Sequence, residues 1–168
     1  ILIGLVGSEM CIRDSTDAEG RLIMADALAF ASESKPDIIC DVATLTGAAY
    51  VALGVEIGAV FSNNKVTLDS FLNSNNDGFE NYHSLPLEQS YKSQIKSNIA
   101  DMKNSGGRFG GAITAALLLE EFVDDLNWIH LDIAGPARSR SSNSIYPEGG
   151  TGFGVLGYFN FITNEAKG

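Results

Sequence analysis

Cysteine is scarce in this chain: Cys11 and Cys40 are its two thiols in 168 residues. That is too few for a disulfide framework or a four-thiolate metal cage, so a reducing, cytoplasmic setting is the expectation. Basic side chains are also in short supply, with 11 Lys and Arg against 21 Asp and Glu. The resulting net charge of −10 disfavours a nucleic-acid backbone or an anionic membrane as partner, since both would be repelled. No apolar run reaches bilayer length. Internal repeats, low-complexity tracts and domain linkers are absent too. What remains is the 45% hydrophobic, 19% charged composition of an ordinary globular protein, long enough for one domain with a sizeable core.

Residues 1–15 stand apart from this pattern. The start is apolar but has neither a basic region before it nor an initiator Met, so it does not read as a signal sequence. The expectation is that Leu5–Ser15 is a translated linker or assembly artefact joined to a truncated gene, and fold reasoning begins at Thr16.

From Leu22 onward, Leu22, Ile23, Ala25, Ala29 and Phe30 recur at helical spacing until Lys35-Pro36 stops the helix. Asp37–Ala43 is a short apolar run read as a buried strand, with Thr44–Ala48 at its carboxyl end. Val51–Phe61 is expected to be a second strand with a turn, and Leu68–Asn76 a short helix. Ser84–Gly111 reads as a long irregular loop, in which Asp101, Lys103 and Arg108 are solvated. Ala112–Val123 is apolar almost all round and therefore a buried helix. Trp128–Ala134 is a strand broken by Gly135-Pro136, and Phe153–Ile162 a final helix. Strands alternating with helices imply an α/β fold with a mixed, largely parallel sheet flanked by helices.

Glycine clusters invite phosphate readings that fail on inspection. Gly152-Phe-Gly-Val-Leu-Gly157 matches G-x-G-x-x-G, but the eleven residues after it cannot supply the βαβ unit and ribose-binding acid. Gly106-Gly-Arg-Phe-Gly-Gly111 lacks the Lys-Ser/Thr of a P-loop. His130, between Ile129 and Leu131 on a strand, reads as a hydrogen-bonded core histidine, and His83 as a surface loop residue. Asp132, two residues from His130, is either a buried structural partner or close to a site.

The densest polar string is Thr16-Asp-Ala-Glu-Gly-Arg-Leu22. In an extended approach to a helix, Asp17 and Glu19 project to one side, and Arg21 follows near free backbone N–H groups. Two hard oxygen ligands beside a fixed positive charge suit a metal-hydrolase site. Thr16-x-x-Glu19 is also a helix capping box, and spacing alone favours that reading, because the pattern before an apolar run is common.

The whole string resembles the signature of the leucyl aminopeptidase family (cytosol aminopeptidases, metallopeptidase family M17), with Ser15 where that family normally has Asn. Asp41–Ala48, Ala100-Asp-Met-Lys-Asn104, Gly110–Ala116, Trp128–Gly135 and Thr151-Gly152 resemble further family strings, in the family's order. The resemblance implies a two-metal aminopeptidase using Mn²⁺ or Zn²⁺. Asp17 would bind one metal, Glu19 would bridge both, and Arg21 would hold a bicarbonate-like anion that relays a proton. Thr44, Leu45 and Gly47 would line the substrate channel, with Ala134 and Ala137 bordering an apolar pocket for a Leu-like N-terminal residue. It also implies a peptide substrate and a homo-hexamer.

Glu9 and Asp14 do not match the family's upstream ligands and catalytic lysines. Residues 16–168 are therefore expected to be the C-terminal part of the catalytic domain, inactive alone but belonging to an enzyme at full length. The alternative is a non-catalytic assembly or binding subunit of the same fold.

Overall fold

Pro36 cannot extend a helix, and the chain uses it to leave one. In the computed structural model, which describes residues 19–76, 78–142 and 146–167, α1 (Glu19–Ser32) ends in a turn. Its last carbonyls accept from Ser34 and Lys35 N–H, with Lys35 at φ 49°. The segment 1–15, Thr16 and Asp17 lie outside the described residues.

The order continues with β1 (Ile38–Ala43), α2 (Gly47–Leu53), β2 (Ile57–Ser62), α3 (Lys65–Ser74) and β3 (Asn81–Ser84). A 3-10 turn (Gln89–Ile95) then precedes α4 (Gly111–Glu120) and β4 (Asn127–Asp132). A two-strand ladder of β5 (Arg138–Ser139) and β6 (Gly149–Gly150) is followed by α5 (Val155–Glu165). The main sheet has the order β1-β4-β2-β3. β1 runs parallel to β4 and β2 parallel to β3, while β2 and β4 are antiparallel. The sheet is thus mixed with mostly parallel pairs, as the alternating pattern implied.

β4 lies inside the sheet and is buried on both faces, which explains its continuous apolar run. Trp128 points into a core shared with Leu28 of α1 and Leu117 of α4. Ile129 and Leu131 point the other way, toward Phe71 of α3 and Phe161 of α5. Helices therefore cover both faces, and α4, apolar all round, is wedged against α1, α2 and the 3-10 turn.

Three readings of the sequence need correction. The start of Val51–Phe61 is not strand: Val51–Leu53 is the last turn of α2, which Thr46 caps by accepting from Ala49 N–H and Gly54 at φ 75° ends. Only Ile57–Ser62 is strand. His83 belongs to β3 rather than to a loop, although it is exposed. The loop 84–111 also contains the 3-10 turn, started by Glu88 accepting from Ser90 N–H.

Candidate functional site

Two parallel strands that finish side by side leave a crevice at their carboxyl ends, where open α/β sheets place ligands. Ala43 of β1 and Asp132 of β4 are register partners at that edge. Ile133 N–H donates to Ala43 O at 2.9 Å, extending the pairing one step into the loops.

Asp132 ties those loops together and is 1% exposed. Its Oδ1 accepts from the N–H groups of Leu45 (3.1 Å), Thr46 (3.3 Å) and Ala134 (3.2 Å). Its Oδ2 accepts from the Thr46 hydroxyl at 2.6 Å. The buried charge is thereby satisfied by four donors from two separate segments. Thr44 and Gly47 remain exposed, Leu45 is buried, and Ala134 and Ala137 are half-buried. Gly135 permits the 134–137 turn to lie on the end of α2, because a Cβ there would sit 1.9 Å from Gly54 O. Gly47, Ala48 and Val51 wall an open recess of about 550 Å³ together with Arg108, Phe109 and Gly111.

The opening turn of α1 meets the same edge. A Cβ on Gly20 would lie 3.7 Å from the Leu45 side chain. Arg21 is buried at 6% exposure, and its Nη1 donates to Asn104 O at 3.0 Å, which ties the guanidinium to the loop before α4. Glu19 is exposed. Residues two apart on a helix diverge by about 200°, so Glu19 and Arg21 face different directions. Glu19 is already helical, and the extended approach expected through it does not include it.

The structure thus brings Leu45 beside Gly20 and joins Leu45 and Thr46 to Ala134 through Asp132. Fit to a two-ion centre is partial. Glu19 offers one hard oxygen ligand, and among the described residues no three His, Cys, Asp or Glu side chains converge on a point. Cys40 offers no thiolate: burial, then the carboxylates of Asp41 and Glu165, push its pKa up to about 11.

Two further polar clusters are structural. Asp41 Oδ1 lies 2.5 Å from His130 Nδ1, and Asp41 Oδ2 accepts from Trp128 Nε1 at 2.6 Å. The fully buried His130 ring stacks with Phe61 and with Trp128, each at a centroid distance of 5.8 Å. This is the hydrogen-bonded core histidine the sequence suggested. Burial works against its charged form, but the Asp41 carboxylate, with a smaller share from Asp132, raises its pKa overall. The second cluster explains the misleading G-x-G-x-x-G string. Buried Glu80 accepts from Gly154 N–H (2.9 Å), Gly157 N–H (2.7 Å) and the Tyr82 hydroxyl (2.6 Å). The amides a phosphate would need at the start of α5 are taken by a carboxylate of the chain itself.

Residues 1–157 match the family model described as the cytosol aminopeptidase family, catalytic domain. A probable cytosol aminopeptidase of Synechococcus sp. (strain CC9902) is 49% identical over 154 residues, covering 91% of this chain and 31% of the relative. Another from Syntrophotalea carbinolica is 51% identical over 151 residues, 90% of this chain and 30% of the relative. Among solved structures, a mutant of tomato leucine aminopeptidase superposes with a TM-score of 0.83 at 40% identity, covering 90% of this chain and 29% of that one. The chain accordingly spans about a third of the length of the curated relatives it matches. With family strings in order, a shared fold and this level of identity, the chain belongs to the cytosol aminopeptidase family, within its catalytic domain.

Proposed function

We propose that the protein is a two-metal-dependent aminopeptidase that releases N-terminal residues, Leu-like ones preferentially, from peptides. Residues 16–168 form the C-terminal part of its catalytic domain. The reading rests on one arrangement: the loops after β1 and β4 are joined through Asp132, immediately beside the helix that carries Glu19 and Arg21.

In this reading Asp17 and Glu19 are ligands to two divalent ions, Mn²⁺ or Zn²⁺, with the remaining ligands supplied from outside these residues. Bound divalent ions supply Lewis acidity and lower the pKa of water, as in other metallohydrolases. Arg21 binds a bicarbonate-like anion, for which a planar guanidinium is better suited than an ammonium. Arg21, whose Nη1 donates to the Asn104 carbonyl, would hold such an anion, and a bound anion of that kind would supply proton-carrying capacity beside the reacting amide. Thr44, Leu45 and Gly47 align the peptide along the channel. Ala134 and Ala137 leave room for the N-terminal side chain, where each methylene is worth roughly 1–3 kcal/mol of discrimination.

The full-length protein is a cytoplasmic homo-hexamer. Phe79, Val155 and Phe159, exposed around one apolar groove, support an assembly face on this segment. None of the helices among the described residues is long and apolar enough to cross a membrane.

The test is hydrolysis of leucine p-nitroanilide by the full-length gene product. Activity should vanish on chelation and return with Mn²⁺ or Zn²⁺. Hydrolysis insensitive to chelation, or none at all from a fully metallated assembly, would refute the proposal and favour a non-catalytic subunit.

A further inference from the structure

We infer that Asp132 is a positioning residue for this reaction: it holds the Thr44–Gly47 and Ala134–Ala137 walls at a fixed spacing and so sets which N-terminal side chain fits. The inference rests on the aminopeptidase function proposed above. It adds a residue that touches no substrate but controls two segments expected to do so.

The sheet does not need this carboxylate to find its register. β1 and β4 are already matched through six pairs, from Ile38 with Asn127 to Ala43 with Asp132. The bonds of Asp132 lie beyond the sheet, in the two loops. A carboxylate capping only its own turn would accept from Ala134 N–H, two residues on. Asp132 also takes Leu45 N–H on the same oxygen, from 87 residues away, and the Thr46 N–H and hydroxyl from 86 away. Because one atom, Oδ1, accepts from both walls, neither can shift without lengthening a bond to the other. The shortest of these bonds, 2.6 Å from the Thr46 hydroxyl to Oδ2, is of the charge-assisted kind that is about twice as strong as a neutral one. The geometry also reaches the helix behind the wall, since the Thr46 hydroxyl that donates to Oδ2 accepts from Ala49 N–H and caps α2.

The test uses the full-length, metal-loaded protein with Asp132→Asn, which keeps the shape and one acceptor but removes the charge. Leucine and alanine p-nitroanilides are the probes. The KM for the leucine substrate should rise about tenfold, the signature of lost ground-state binding when the walls of the side-chain pocket loosen. The Leu-over-Ala ratio of kcat/KM, which does not depend on how much enzyme is active, should fall because looser walls discriminate less between side chains. Hydrogen exchange at the Leu45, Thr46 and Ala134 amides should accelerate together, while exchange at Ile129 and Leu131 stays slow. A variant with wild-type KM, ratio and loop exchange, and merely a lower melting temperature or active fraction, would overturn the inference. If Asp132→Asn fails to fold, Thr46→Val removes the hydroxyl bond to Oδ2 and is judged by the same ratio. Should the wild type hydrolyse neither probe, the aminopeptidase reading fails, and the exchange measurement still decides whether Asp132 couples the two loops.

Discussion

Asp41 and His130 are register partners across the parallel β1–β4 pair, and their side chains meet at 2.5 Å inside the sheet's helical cover. Folding raises the His130 pKa above the 6.5 of a free imidazole: burial opposes the charge, but the Asp41 carboxylate and its hydrogen bond, with a share from Asp132, together outweigh it. A pKa raised by folding adds stability that is fully present below about pH 6.5 and lost as pH rises through the folded value. The difference in unfolding free energy between wild type and His130→Gln should therefore shrink as the pH rises above about 6.5. Urea unfolding across that range checks it, and a difference that stays flat or grows would mean the histidine is neutral throughout. Asp41→Ala at acidic pH should cost roughly 3–5 kcal/mol, since it leaves a buried cation without its partner.

Glu80 holds the start of α5 from 74 and 77 residues away. Glu80→Ala should destabilise the protein by roughly 3 kcal/mol, because it abandons two buried amides and the Tyr82 hydroxyl. Glu80→Gln, which keeps an acceptor for at least one amide, should lose less. Chemical denaturation of both variants is the check; equal losses would show that charge at the helix start matters more than the hydrogen bonds.

At Gly135 the obstacle is backbone rather than side chain, since an added Cβ would lie 1.9 Å from Gly54 O. Gly135→Ala should therefore push the 134–137 turn off α2 and cost about 1–3 kcal/mol or more, with a raised KM for substrates bearing large N-terminal side chains. Thermal melts with KM values for leucine and alanine substrates measure both effects.

How far the sequence alone could go depended on where each residue's partners lie in the chain. β1, β4 and the buried helix α4 were legible because their own apolar runs settle them. Val51–Leu53 joins α2 rather than the strand expected over Val51–Phe61, because a short apolar run fits either a strand or a helix and the Thr46 cap decides it. β3, Asn81-Tyr-His-Ser84, carries no apolar alternation of its own and is a strand because β2 pairs with it. The family strings marked Arg21, Leu45 and Ala134 as belonging to one site. That Asp132 joins two of those strings was not readable, since its donors at Leu45 and Thr46 come from the far side of the chain. The Asn104 carbonyl that orients Arg21 is a backbone atom 83 residues away, for which side-chain patterns carry no signal.

Arg21→Lys separates anion binding from metal binding. The buried guanidinium is held by Asn104 O, and an ammonium retains the charge but not the planar, two-pronged geometry. Full-length Arg21→Lys should keep its metal content while turnover falls by about 10²–10⁴-fold, the usual share of positioned proton transfer. Metal analysis and kcat on the same preparation check it, and loss of metal would show that Arg21 acts on the metal ligands instead.

The most direct measurement of the central claim is metal stoichiometry and turnover on one preparation of full-length Glu19→Gln. If Glu19 bridges two cations, removing its charge should lower metal occupancy and cut leucine p-nitroanilide turnover by orders of magnitude, while the metal-free protein melts within a degree or two of wild type, since a retained helix-start hydrogen bond is worth only about 1 kcal/mol. Metal content and turnover both near wild type would contradict the account and leave Glu19 as the cap of α1.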